Sequence, residues 1–147
     1  MTSEGIVDSV KISIEYGAPA KRGRMIWGGL RPWDEWWMPG ADLATTITTS
    51  APLMVADLRV PAGDHTIYTI PSETKPVLMI NRETGQFHTR YNPRQDLGRV
   101  PLTLKMLTEP VEQLTFAIEP NPAGGGWLKL IWDDREYSVV IGAVKPR

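Results

Sequence analysis

In Val10-Lys11-Ile12-Ser13-Ile14-Glu15-Tyr16, VKISIEY, the residues Val10, Ile12, Ile14 and Tyr16 fall on one side of an extended chain and Lys11, Ser13 and Glu15 on the other. Period-two alternation of apolar and polar residues marks a strand with one buried face. Outward from it, ATTITTS (44–50) is β-branched at Thr45, Thr46, Ile47, Thr48 and Thr49, which suits a pleated surface and opposes a helix. LMVADLRV (53–60) reads as a strand bent near Ala56 and Asp57, followed through Pro-Ala-Gly by the strand of PAGDHTIYTIP, the two forming a hairpin. PVLMINRETGQF supplies an apolar strand, Val77 to Ile80, and a turn at RETG where Gly85 takes positive φ.

A further strand is expected from Val100 to Met106, with Pro101 at its start. VEQLTFAIEP alternates Leu114, Phe116 and Ile118 against Thr115, Ala117 and Glu119. The NPAGGG loop then leads into WLKLIWDD, and DDRE turns into YSVVIGAV. Triple glycine cradles phosphate only ahead of a helix; Trp127, Leu128 and Leu130 read as strand instead. The sum is an all-β chain of about eight to ten short strands, an antiparallel β-sandwich or jelly-roll-like fold with at most one short helix, near LRPWDEWW. The 147 residues make one domain's worth of chain, without internal repeat or boundary.

Sixteen Lys and Arg against 17 Asp and Glu give a formal net charge of -1, which provides no field to gather a polyanion, so nucleic acid is not an expected partner. KRGR (21–24) reads as a solvated loop or a weak anion site. No apolar run approaches the roughly 20 residues of a membrane-spanning helix, and no membrane partner is expected. Absence of cysteine removes thiol chemistry, disulfides and thiolate zinc sites. The amino end, MTSEGIVDSV, has no positive n-region and no apolar h-region; as written the chain reads as cytoplasmic, or as periplasmic or secreted where a leader has been removed.

In order along the chain, GRMIWGGLRPWDEWWMPGADLATTITT, VPAGDHTIYTIP, MINRETGQF, YNPRQDLGRVPL and LKLIWDDREYSV resemble the bacterial domain of unknown function 2911 family, from about Val10 to Val140. The resemblance implies a compact all-β domain and no established activity, and many members of that family are exported. Departures fall inside the shared motifs. Where the family tends to carry Arg and Thr after the tryptophan matching Trp37, this chain has Met38 and Pro39, and a usual tyrosine is Trp33. Asp64 and His65 replace a small residue and an aromatic, Pro76 a tryptophan, and Phe87 and His88 an aromatic and a small residue. Methionine in place of arginine among tryptophans suggests an apolar pocket shared by Trp33, Met38 and His65.

Four of the six tryptophans, Trp27, Trp33, Trp36 and Trp37, lie within eleven residues. Adjacent Trp36 and Trp37 cannot both point inward along an extended chain, so one faces solvent, a partner or a ligand. Candidate ligand-binding residues are therefore Trp33, Trp36, Trp37 and Met38, with Tyr68 and Arg24. Candidate acid/base residues are Glu35, Asp42, His65 and His88, since a carboxylate desolvated by indoles or an imidazole can exchange protons near neutrality. The structural alternative is that Asp34 and Glu35 cap a turn or face water and that Asp42 accepts backbone N–H groups after Gly40. His65 and His88 with Asp42 or Asp64 lack the spacing of a metal site, so no metal is expected, and no cofactor motif is present. Two functions remain: a β-domain binding an apolar or aromatic small molecule, and a cofactor-independent isomerase, cyclase or hydrolase. A homodimer through open sheet edges is compatible with both.

Overall fold

The computed structural model describes residues 1–41 and 44–145. Ten strands are present among them: β1 (Thr2–Val7), β2 (Val10–Glu15), β3 (Thr46–Thr49), β4 (Leu53–Val55), β5 (Leu58–Val60), β6 (Gly63–Ile70), β7 (Val77–Asn81), β8 (Asp96–Pro101), β9 (Thr103–Pro120) and β10 (Gly126–Ala143). They form a six-stranded sheet, β1-β2-β3-β6-β7-β8, and a four-stranded sheet, β5-β4-β10-β9. Every pairing is antiparallel, and the two sheets stack as a sandwich. No helix among the described residues is long and apolar enough to cross a membrane.

Alternation explains the core. Ile12 and Ile14 of β2, Ile47 of β3, Ile67 of β6 and Leu78 and Ile80 of β7 share a buried cluster with Leu114, Phe116, Leu128, Leu130, Trp132, Tyr137 and Val139 of the facing sheet. The lateral edges are also approached. Ser3 Oγ of β1 donates to the Phe116 carbonyl of β9 at 2.6 Å, and the Phe116 N–H donates to the Tyr16 hydroxyl at 3.2 Å. Gly5 permits that approach: a Cβ there would stand 2.6 Å from Ile118 Cγ2.

Several local expectations give way to longer-range pairing. LMVADLRV is itself a hairpin, β4 to β5, turning at Ala56 with φ 52, and β6 pairs with β3 and β7 rather than with it. The segments read as four short strands after Pro101 are two strands of 18 residues. DDRE is not a turn but a bulge in β10, with register shifts on both sides of Asp133. Opposite it, Val111 and Met106 are the nearest paired residues of β9, so Pro110 falls where no ladder N–H is required. The amino-terminal strand β1 carried a readable signal in Asp8-Ser9, whose φ values of 49 and 66 make the tight turn into β2. The one helical turn among the described residues is a 3-10 turn at Pro93–Gln95, not at LRPWDEWW.

The 30-residue link from β2 to β3 (16–45) positions the site. It crosses the end of the sandwich, bonding Lys21 N–H to the Glu112 carbonyl at 2.7 Å and Trp27 Nε1 to the Trp132 carbonyl at 2.9 Å. It then runs beside β6, where Trp37 and Thr69 exchange both backbone hydrogen bonds, at 2.7 and 2.8 Å. Trp132 is fully buried beneath this link. Trp132→Ala is expected to cost about 3–5 kcal/mol, lowering Tm by about 10 °C in a thermal melt followed by circular dichroism.

Candidate functional site

The Trp37–Thr69 bridge divides the tryptophan cluster between two faces of the six-stranded sheet. Trp37 points into the sandwich, where it stacks on Trp132 with centroids 5.9 Å apart and meets Trp27 edge-on at 5.7 Å. Arg31 lies over the Trp37 ring at 5.0 Å, and Arg135 over Trp33 at 4.5 Å. Arg135 is buried and donates from Nη1 to the Ser72 carbonyl at 3.0 Å and the Tyr137 hydroxyl at 3.4 Å. This end of the core is filled, and Trp33 and Trp37 serve there as packing rings.

Trp36 and Met38 face the other way. Met38 is fully buried against Tyr68 and Met79, and its sulfur accepts the Thr45 N–H at 3.4 Å. Trp36 remains 41% exposed, yet meets Tyr68 at 5.9 Å and Tyr91 at 5.3 Å between centroids. With Asp34, Glu35, Ile70, Tyr91 and Arg99 it lines a depression of about 600 Å³. Tyr91 also lines a second depression of about 380 Å³ with Glu83, Arg90 and Asn92.

Tyr91, common to both depressions, is fixed through its hydroxyl. Its hydroxyl donates to Asp96, and Arg99 donates to the same hydroxyl at 3.3 Å. Burial, followed by the bond to Asp96, pushes the Tyr91 phenol up to about 12, so it keeps its proton at neutral pH. The Asp96 carboxylate also accepts from Asn81 Nδ2 at 2.9 Å, and the same amide donates to the Asn92 carbonyl at 2.9 Å. These bonds tie the 82–95 loop to β7 and β8. Asn81, Tyr91 and Asp96 were not singled out in the sequence; a polar residue ending the apolar run VLMI and an aromatic before a turn were the available signals.

The expected shared pocket does not form: Trp33 is partly buried against the sandwich core, Met38 lies on the opposite face, and His65 lies four residues along β6 from Thr69, about 13 Å away. His65 is buried beside Ile47 on the face that carries Ile67. His88 packs against Phe87 in the 82–92 loop, with centroids 4.3 Å apart. Arg24 donates to the carbonyls of Lys21 at 3.0 Å and Ala20 at 2.6 Å, holding its own turn. Glu35 is exposed at the rim of the Trp36 depression, whereas Asp42 lies outside the described residues. No group of three or more His, Cys, Asp or Glu among the described residues is placed to hold a metal.

The chain matches the sequence model described as Protein of unknown function (DUF2911) over residues 1–141. It belongs to the DUF2911 family. No curated protein and no solved structure matches it. The DUF2911 motifs fall on the sandwich end, on the Trp36 face and on the loop that carries Tyr91.

Desolvation, the largest effect, lowers the His65 pKa below 6.5, partly opposed by Asp64 and reinforced by Arg82. In the unfolded chain this imidazole takes up a proton near pH 6.5, while in the fold it resists until lower pH, so stability is lost as pH falls below about 6.5. Urea midpoints measured from pH 7 down to about pH 5 should fall more steeply for the native chain than for His65→Leu.

Proposed function

We propose that this protein is a non-catalytic small-molecule-binding β-domain whose ligand lays an apolar ring face on Trp36. One observation carries the reading: Trp36 is 41% exposed although Tyr68 and Tyr91 hold its ring in place. An indole left in solvent forgoes the gain of burial, about 25 cal/mol for each Å² of apolar surface. Because its neighbours already fix it, a ligand would bury that surface with little side-chain ordering still to be lost.

The surroundings support binding over acid/base chemistry. Neither histidine lines the Trp36 depression. The phenol that does, Tyr91, holds its proton up to about pH 12 and spends it on Asp96. An isomerase, cyclase or hydrolase would need a proton donor and acceptor converging on one reacting atom; the carboxylates at this depression, Asp34 and Glu35, are exposed to solvent instead of desolvated.

Trp36→Ala should weaken binding of indole, used as a probe, by about tenfold or more while moving Tm by only a few degrees. Trp37→Ala should instead destabilise the fold by about 3–5 kcal/mol. Nuclear magnetic resonance of the six indole N–H groups during indole titration checks this: the Trp36 signal should move first. Shifts confined to other tryptophans, with Trp36 unmoved, would remove the proposal.

A further inference from the structure

We infer that the ligand is a saccharide chain that crosses Tyr91, with one sugar ring on Trp36 and the next over the Glu83–Arg90 depression. The inference rests on the binding reading above and deepens it.

The two depressions share one wall and differ in character. On the first side, Trp36, Ile70 and Tyr91 present apolar surface, with Asp34, Glu35 and Arg99 at the rim. On the second, Glu83, Arg90 and Asn92 are polar and the Tyr91 ring is the one aromatic among the described residues that line it. The ring common to both is held by Asp96 and Arg99, so a ligand that occupies both sides meets Tyr91 on each. A single compact ring fills one side only.

The polar groups specify what kind of chain fits. Among the described residues, the side chains of Asp34, Glu35, Glu83 and Arg90 have no hydrogen-bond or ion-pair partner. Arg99, in contrast, is engaged by Tyr91 and lies 3.8 Å from Asp96. The available groups are thus planar acceptors and a planar donor of opposite sign, spread along both depressions. A cationic ligand would gain at Glu35 and lose at Arg90, and an anionic one the reverse. Neutral hydroxyls can donate to carboxylates and accept from a guanidinium. A pyranose combines such hydroxyls at its edge with an apolar C–H face that lies flat on an aromatic ring. Repeating that unit matches a site with apolar walls, hydrogen-bonding groups at its edges and two compartments that share Tyr91.

The test titrates the full chain with gluco-, manno-, xylo- and galacto-oligosaccharides, from monosaccharide to hexasaccharide, on a printed array and then by calorimetry. Indole and tetraethylammonium serve as comparison probes. The expected result is a saccharide series whose affinity rises about tenfold or more between one unit and three and disappears in Trp36→Ala. Arg90→Ala and Glu83→Gln should weaken the longer members several-fold and leave the monosaccharide unchanged. Both positions lie at the surface or half-buried, and circular dichroism confirms that the variants fold. Saccharide binding without a gain with length would overturn the chain crossing Tyr91. Indole or tetraethylammonium bound at Trp36 with no saccharide bound would overturn the sugar assignment while leaving the binding domain intact. Failure of every probe at Trp36 would overturn both.

Discussion

Two backbone hydrogen bonds between Trp37 and Thr69 govern the arrangement of the rest. They make residues 36–38 an extra length of extended chain beside β6, and extended chain sends successive side chains to opposite faces. Trp37 is thereby committed to the sandwich, and Trp36 and Met38 to the outside of the six-stranded sheet. The link that carries them is long and nearly free of regular structure, so this one bridge, with Trp27 and Lys21 anchoring its start, converts an irregular segment into both a plug for the core and a wall of the Trp36 depression.

The plug is built with unusual partners. Arg135 is buried, yet its acceptors are a carbonyl and a phenol rather than a carboxylate. Arg31 is drawn out of water far enough that desolvation lowers its pKa. Its Nε and the Trp37 Nε1 are buried with no acceptor among the described residues. Removing such groups from water costs free energy; the indole faces of Trp37 and Trp33 offset part of it through cation–π attraction. Arginine suits this role because its flat, weakly hydrated guanidinium can stack while donating in its own plane, which an ammonium cannot do.

Strand-forming stretches were the legible part of the sequence. VKISIEY announces a buried face, the threonine run and VLMI announce strands, and the opposed fates of Trp36 and Trp37 follow from their adjacency once the segment is extended. Strand length was less accessible, because Pro110 and Asp133-Asp134 look like breaks locally and become a shared bulge only when β9 and β10 pair. The site was legible only in part. Trp36 and Glu35 lie at it and Tyr68 and Met38 beneath it, while Arg24 and His65 belong to distant surroundings that no local pattern reveals. Tyr91 and Asp96 acquire meaning only through contact with each other and with Asn81 across the sheet.

Beneath the outer face, hydrogen-bond direction itself is determined. The Tyr68 hydroxyl donates to the Arg90 carbonyl and the Thr66 hydroxyl to the Glu83 carbonyl, so each has spent its single proton. Both oxygens must then accept, and Gln86 Nε2 supplies them at 2.9 and 3.2 Å, which fixes the orientation of the Gln86 amide. Glu83 and Arg90, two walls of the second depression, are thus held by their own main-chain carbonyls. Their charged side chains stay free of the network that positions them. Tyr68, the ring beneath Trp36, therefore anchors the second depression while supporting the first, coupling the two sides of Tyr91 through one hydroxyl.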